Sequence, residues 1–310
     1  MEQSKILPTV KLSNGIDIPC IGNGPGIIGY SSKQLISYNV VYNYIYRAWN
    51  KLYKRPLLER TYIDAVANSF QIGLVLLDNS AAYRNEEYIY KAIQKSGIDR
   101  KDLFITTRCS NKAQFAGNVR EEFFKSLKAL HTDYVDLYQF HWPVTNHYVN
   151  TWNEIVKLYR EGYCRSIGVA NCHQHHIETL MEKSGFVPHI NQFEVHPLFT
   201  QKPLIEYCKS KNIQVQAYTA IARFDDRLMR LPLLKNMAKR YNKTVVQVIL
   251  RWHIQNGIIP LVRSLNTIRQ LENISVFDFE LTKEEMNAID GININARVRY
   301  DPDNCDFTIL

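Results

Sequence analysis

The stretch Leu74 to Glu86, LVLLDNSAAYRNE, joins a fully apolar run to an acid, a short polar turn and a tyrosine. The run Leu74 to Leu77 has no polar alternation, which is typical of a strand buried on both faces of a parallel sheet covered by helices. Asp78 follows at the end of that predicted strand, and Tyr83 lies in the turn beyond it. Because ligand sites of parallel α/β folds gather at the carboxyl ends of strands, Asp78 and Tyr83 are a candidate catalytic pair. A helix N-cap and a core phenol are the alternative interpretation of this stretch alone.

Similar apolar runs recur along the chain, and helical patterns lie between them. Residues 9–21 predict two short strands joined at Asn14-Gly15, a strong hairpin signal. Further strands are predicted at Ile21–Gly24, Leu74–Leu77, Leu103–Thr107, Val135–Phe140, Ser166–Val169, His189–Phe193, Val215–Tyr218 and Ile258–Val262. Predicted helices include Glu86–Lys95, Val119–Leu130, Trp152–Arg160, Pro203–Ser210 and Thr244–Gln255. Alternating βα units without a linker predict an α/β protein, a single (β/α)8 TIM barrel spanning residues 1–310 and preceded by a β-hairpin.

Composition narrows the possible functions. The chain is 45% hydrophobic and 22% charged, and no apolar run approaches the roughly 20 residues that a membrane span needs. Its start, MEQSKILPTV, lacks the pattern of a secretory signal, so we expect a cytoplasmic protein. The net charge of +8 is spread along the chain without a nucleic-acid motif, which favours an anionic small ligand over nucleic acid. The six cysteines form no CxxC and no metal-type pairing with histidines, so we expect reduced structural thiols and no metal site.

A tyrosine-rich segment at about residues 28–55 follows the first predicted barrel strand as an insertion. Six apolar residues recur in it at spacings of three and four, which predicts one helix with an apolar stripe. They are Leu35, Tyr38, Tyr42, Ile45, Trp49 and Leu52. Segments that leave the carboxyl end of a barrel strand emerge on the active-site face, and an apolar stripe of this size must be covered. We expect a lid over the substrate site. The alternatives are a plain packing helix and a dimer interface, so the chain is expected to be a monomer or weak dimer.

Polar or aromatic residues close almost every apolar run of the predicted barrel. In chain order they are Asp78, Arg108, His141, Asn171, Gln192, Tyr218 and Arg263. Side chains from different strands converge at the top face of such a barrel, so this pattern predicts one shared site. No glycine-rich Rossmann fingerprint follows a predicted strand, so any dinucleotide must be bound by a different set of residues.

Several ordered motifs resemble the aldo-keto reductase family. They are NEE after DNSAAYR, LFITTR, DLYQFHWP, SIGVAN, NQFEVHP and VQAY. The resemblance covers about residues 9–26 and 57–305, and it implies a (β/α)8 barrel that transfers hydride from a nicotinamide cofactor to a carbonyl. The family's catalytic Asp, Tyr, Lys and His fall on Asp78, Tyr83, Arg108 and His141, and Trp142 resembles a wall of the substrate pocket.

The same resemblance implies NADPH as the cofactor and assigns its contacts. The implied contacts are Asn171 and Gln192 for the carboxamide, Tyr218 for the nicotinamide ring, Arg263, Ser264 and Arg269 for the 2'-phosphate, and Glu272 and Asn273 near the adenine. Two guanidiniums suit a dianionic phosphate, and a tyrosine ring is a flat platform for stacking. The final RVRYDPDNCDF resembles the family's short C-terminal tail, a loop over the barrel mouth.

The chemistry of carbonyl reduction explains the implied catalytic set. Hydride arriving at a carbonyl carbon leaves negative charge on the oxygen, and a phenol can donate the needed proton if a nearby cation lowers its pKa from about 10. Tyr83 would be that acid, His141 would orient the carbonyl, and Asp78 would hold the cation in place. We therefore expect an NADPH-dependent oxidoreductase that reduces small-molecule aldehydes or ketones to alcohols.

Four departures from the family pattern define an alternative. Arg108 replaces the lysine, Ala170 replaces a serine, Gly26 stands where a tryptophan is usual, and the insertion is additional. A guanidinium keeps its proton near neutral pH and could pair with Asp78 so tightly that it displaces the phenol. The alternative function is a nicotinamide-binding barrel with little or no catalysis, a sensor or a partner subunit.

Overall fold

A short antiparallel hairpin precedes the barrel in the computed structural model, which describes residues 7–28 and 55–309. Strand β1 (Thr9–Lys11) pairs with β2 (Asp17–Pro19), and Gly15 takes the left-handed φ of 85° in the turn between them. This confirms the predicted hairpin. The Asn14 side chain donates to the carbonyl of Arg165, 2.9 Å away at the start of a barrel strand. The hairpin therefore closes the amino-terminal end of the barrel, opposite the predicted site.

Eight parallel strands close into the barrel, in the order β10-β3-β4-β5-β6-β7-β8-β9. They are β3 (Gly22–Asn23), β4 (Leu76–Asp78), β5 (Phe104–Cys109), β6 (Val135–Phe140), β7 (Cys164–Ala170), β8 (Ile190–Glu194), β9 (Gln214–Tyr218) and β10 (Ile259–Val262). The predicted (β/α)8 barrel is thus confirmed. Strand β4 begins at Leu76 and not at Leu74, because the N–H groups of Leu74 and Val75 bond back to the carbonyls of Ser69 and Gly73.

Helices follow the strands and cover the barrel. They are α1 (Arg55–Gln71), α2 (Glu86–Ser96), α3 (Asn111–Ala116), α4 (Val119–Leu130), α5 (Tyr148–Arg160), α6 (Gln174–Ser184), α7 (Lys202–Ser210), α8 (Asp226–Met229), α9 (Pro232–Arg240), α10 (Val245–Gln255), α11 (Thr267–Ile274) and α12 (Lys283–Asp290). The five helices predicted between the barrel strands are all present, and α5 begins at Tyr148, one turn before the predicted Trp152. The helix predicted in the insertion lies outside the described residues. Within the described ranges, no helix combines the length and the apolar character that crossing a membrane requires.

Two apolar layers hold these elements together. The larger one lies between strands and helices and includes the fully buried Trp152 and Phe123. The smaller one fills the amino-terminal half of the barrel interior, where Leu12 and Ile18 of the hairpin meet residues such as Leu76 from the strands. Because this end is plugged with apolar side chains, polar chemistry is confined to the opposite end. The predicted insertion at about residues 28–55 falls almost entirely on residues 29–54, which lie outside the described part of the chain, so its interpretation as a lid stays a prediction.

Candidate active site

The four residues of the predicted catalytic set lie at one end of the barrel. Asp78 ends β4, Arg108 lies near the end of β5, and His141 follows β6 directly. Tyr83 ends a short 3₁₀ turn, which the hydroxyl of Ser80 caps by accepting a hydrogen bond from the Ala82 N–H at 3.3 Å. All four line a cavity of about 590 Å³. The local turn thus returns the phenol to the strand ends.

Arg108 connects two members of this set. Its side chain is 2% exposed, its Nη2 forms an ion pair with Asp78, and its Nη1 lies 3.5 Å from the Tyr83 hydroxyl. Burial alone would lower the pKa of Arg108, but its attraction to Asp78 and Tyr83 outweighs that effect and raises the pKa above its usual value. The guanidinium therefore stays charged. It gives one nitrogen to each partner, so the ion pair does not displace the phenol.

His141 is partly buried and lies beside the phenol. Its ring centre lies 5.9 Å from that of Tyr83, with the two planes at 80°. Burial lowers the pKa of His141 to about 3, and the positive charges of Arg108 and Arg299 act in the same direction. The imidazole is therefore neutral at physiological pH and offers one N–H donor and one acceptor nitrogen.

The three residues assigned to the nicotinamide end meet around the same cavity. Asn171 follows β7 with a left-handed φ of 59°, and its Nδ2 donates to the carbonyl of His141 at 2.9 Å. The Tyr218 hydroxyl donates to Asn171 Oδ1 at 2.6 Å. Gln192 Nε2 donates to Asp78 Oδ1 at 2.9 Å and to Gln216 Oε1 at 3.1 Å. Since both N–H groups of Gln192 are engaged, this side chain can offer a ligand only its carbonyl oxygen.

The residues assigned to the adenosine phosphate are arranged in two places. Arg263 follows β10, is exposed and lines the cavity, whereas the other four are not among its lining residues in the described part of the chain. These four are Ser264, Arg269, Glu272 and Asn273, and the last three belong to α11. The Ser264 hydroxyl is engaged with the backbone of Asn266, and the guanidinium of Arg269 lies 5.9 Å from the ring centre of Phe224.

Part of the cavity wall was not indicated by the sequence. Arg223 and Phe224 line the cavity from the loop after β9, and both take left-handed φ angles, 53° and 60°. No glycine marks this loop, so the sequence carries no signal of its unusual path. Arg299 lines the cavity from the C-terminal tail. The tail resembled a loop over the barrel mouth, but no residue in it stood out as part of the site.

Two buried contacts fix the C-terminal tail. The Glu194 carboxylate at the end of β8 accepts the backbone N–H groups of Val298 at 2.6 Å and Arg299 at 2.8 Å. Burial would raise the pKa of Glu194, but hydrogen bonds from His196 and these two N–H groups lower it overall. Further along, Phe307 packs against the buried Trp142 with ring centres 6.5 Å apart. The tail thus supports the wall of the cavity.

Comparison with known proteins identifies the family. The model of the Aldo/keto reductase family matches residues 48–294. Glyoxal reductase of Bacillus subtilis (strain 168) is 36% identical over 299 residues, 96% of this chain and 98% of the relative, and the uncharacterized oxidoreductase YtbE of the same organism is 43% identical over 249 residues, 79% and 88% of the two chains. The crystal structure of a Bombyx mori aldo-keto reductase in complex with NADP superposes with a TM-score of 0.80 at 31% identity and 96% coverage of both chains. The chain therefore belongs to the aldo/keto reductase family of oxidoreductases.

Proposed function

We propose that this protein reduces aldehyde or ketone carbonyls to alcohols with NADPH, and that Tyr83 donates the proton. Family membership supports carbonyl reduction, and the similarity to a glyoxal reductase supports small aldehydes as substrates. The observation that carries the proposal is the position of the Tyr83 hydroxyl, which faces the cavity between the charged Arg108 and the neutral His141.

The residues at the nicotinamide end fit the chemistry of a carboxamide. Gln192 presents an acceptor oxygen, and Asn171 Nδ2 has a second N–H beyond the one it gives to His141. A carboxamide needs one acceptor for its NH₂ group and one donor for its oxygen, and this pair supplies both. Tyr218 would supply the flat surface for the nicotinamide ring, and Arg263 and Arg269 would pair with the 2'-phosphate. NADPH, when bound, supplies the hydride for the carbonyl carbon.

The protonation states of its neighbours support Tyr83 as the proton donor. His141 is uncharged because its pKa is about 3, and Arg108 keeps its proton because its pKa is raised. The Tyr83 O–H can transfer its proton to the carbonyl oxygen while the N–H of His141 orients that oxygen. The phenolate that remains would lie 3.5 Å from Arg108 Nη1, where the guanidinium stabilises it. Asp78 holds the guanidinium in this position.

One feature favours the second candidate, a nicotinamide-binding barrel with little catalysis. Oδ1 of the buried Asp78 accepts from both Arg108 and Gln192. A guanidinium held this firmly, and 3.5 Å from the phenol, would stabilise the phenolate less than a closer cation would. In that case the cofactor would bind and the carbonyl would turn over slowly.

A pair of tyrosine variants separates the two candidates. We expect the wild type to oxidise NADPH in the presence of glyoxal or other aldehydes and ketones. Tyr83→Phe should lower turnover by roughly 100-fold or more while leaving NADPH binding, followed by cofactor fluorescence, nearly unchanged. Tyr90→Phe, whose ring stacks on His131, is the matched control and should behave like the wild type. Full activity in Tyr83→Phe would assign the proton to another group, and NADPH binding without oxidation by any carbonyl would support the second candidate.

A further inference from the structure

Three histidines and one aspartate converge beside the barrel mouth. His173, His175 and His176 lie at the start of α6, and Asp303 reaches them from the C-terminal tail. Each residue offers one metal-binding atom, and these atoms all lie within 4.8 Å of one another. Neither the catalytic set nor the assigned cofactor contacts include any of these residues. Three of the chain's nine histidines are thus gathered around one carboxylate.

The contacts of Asp303 show how closely the group is packed. His173 Nδ1 lies 2.7 Å from Asp303 Oδ2, and His175 Nε2 lies 3.2 Å from Oδ1. One histidine would be enough to partner a partly exposed carboxylate, so the approach of His175 needs another explanation. Two imidazole nitrogens and a carboxylate form a ligand set typical of Zn²⁺ and its transition-metal neighbours.

The group can also adopt metal-binding distances. A tetrahedral zinc site with bonds near 2.1 Å holds its ligand atoms roughly 3.4 Å apart. The side chains of His175 and Asp303 are 60% and 38% exposed, so small rotations can open the 2.7 Å contact and draw the farther atoms together. Exposure also gives an ion direct access from solvent.

We propose that His173, His175 and Asp303 bind a divalent transition-metal ion of the Zn²⁺ class. His176 is not counted as a ligand because its Nδ1 accepts the backbone N–H of His173 at 3.2 Å, which leaves the proton of the neutral ring on Nε2. The dipole of α6 opposes a cation at this end of the helix, and the negative charge of Asp303 offsets that effect. At least one coordination position stays open to solvent. This proposal replaces the sequence-based expectation of no metal site.

The ion would join two parts of the chain that are far apart in sequence. Asp303 belongs to the tail that also carries Arg299, at the cavity, and Phe307, against Trp142. His173 lies two residues after Asn171, so the ion would hold the tail close to the nicotinamide end of the site. The inference goes beyond carbonyl reduction, and its tests do not depend on turnover.

Zinc binding to the full chain is the first test. The protein is stripped with EDTA, dialysed, and titrated with Zn²⁺ in competition with a chromophoric chelator. We expect one tight equivalent in the wild type and a loss of at least roughly 100-fold in affinity in His175→Ala and in Asp303→Asn, since even residues outside the ligand set cost 10- to 100-fold. His131→Asn is the control, because this exposed histidine has a φ of 50° that asparagine tolerates. Equal zinc affinity in the wild type and Asp303→Asn, or no tight equivalent in the wild type, would overturn the proposal.

Trypsin digestion of the tail is the second test and needs no variant that could misfold. Cleavage after Arg297 or Arg299 requires the tail to leave the barrel, and bound Zn²⁺ suppresses that opening. At a Zn²⁺ concentration 100 times the Kd, cleavage in the wild type should slow by up to roughly 100-fold. Cleavage at other sites, followed by mass spectrometry, is the internal reference. Tail cleavage that zinc leaves unchanged while it occupies the protein would place the ion elsewhere and refute the assignment.

Discussion

Replacing Arg108 with lysine should raise turnover if Tyr83 is the proton donor. Arg108 divides its charge between two nitrogens, one on Asp78 and one 3.5 Å from the Tyr83 hydroxyl. A lysine ammonium is a single point charge that can contact both partners with one atom. With an effective dielectric constant of about 20, bringing the cation from 3.5 Å to about 2.9 Å from a phenolate strengthens their attraction by about 1 kcal/mol. That difference corresponds to roughly a fivefold increase in turnover.

Three measurements on Arg108→Lys test this reasoning. Initial rates of NADPH oxidation at saturating carbonyl give turnover, cofactor fluorescence gives the Kd for NADPH, and thermal unfolding reports on the fold. Because Arg108 is buried, the smaller side chain should cost about 1 kcal/mol of stability. Arg120→Lys is the matched control, since Arg120 also pairs with a carboxylate, Glu161, but on the surface. Turnover of Arg108→Lys at or below the wild-type value, with NADPH affinity and fold intact, would show that the guanidinium is no handicap and refute the argument.

Two further predictions concern the cofactor phosphate and pH. Arg263→Ala should weaken NADPH binding by at least about tenfold, because a charge-assisted contact contributes on the order of 1.5 to 3 kcal/mol. NADH binding should stay nearly unchanged. Fluorescence titration gives the dissociation constants for both cofactors and tests this prediction. His253 is fully buried, and burial lowers its pKa to about 3 from 6.5. As the pH falls below 6.5, His253 takes up a proton in the unfolded chain but stays neutral in the folded chain. His253 therefore contributes stability above pH 6.5 that is lost as the pH falls toward 3. Between about pH 7 and pH 5 the contribution of His253 should fall by about 2 kcal/mol, so in urea unfolding the wild type should lose about 2 kcal/mol more stability than His253→Gln over this range.

Each of these predictions has a clear contrary result. Equal affinities of the wild type for NADPH and NADH, or an Arg263→Ala variant with wild-type NADPH affinity, would remove Arg263 from the phosphate contact. If the stability difference between the wild type and His253→Gln is the same at both pH values, burial does not keep His253 neutral.

The fold followed from the sequence because burial on both faces leaves a simple pattern. The run Ile259–Val262 is a fully buried strand in the structure, as its unbroken apolar character predicted. Strand boundaries were harder to predict, since they depend on which carbonyl each backbone N–H bonds to. Leu74 and Val75 are as apolar as Leu76, yet their N–H groups bond to the preceding residues Ser69 and Gly73 and not to a neighbouring strand.

The cavity-lining residues named from the sequence either end a strand or follow a strand end within a few residues, as Tyr83 does. Asp78, Arg108 and His141 have positions set by the barrel, so an apolar run followed by a polar residue was enough to indicate them. Arg299 depends on the path of the tail, for which periodicity gives no information. Asp303 meets His173 across 130 residues of sequence, and only the fold brings them together.

Glu194 attaches the C-terminal tail through backbone groups, whereas the Arg299 side chain lines the cavity. This carboxylate binds the backbone N–H groups of Val298 and Arg299, so the side chains at these two positions take no part in the anchor. Any residue except proline can supply the same N–H groups. The Arg299 side chain at the cavity is therefore free to diverge, in evolution or in a mutant library, while the tail keeps its place. A new substrate preference could be selected here without a compensating change elsewhere in the barrel.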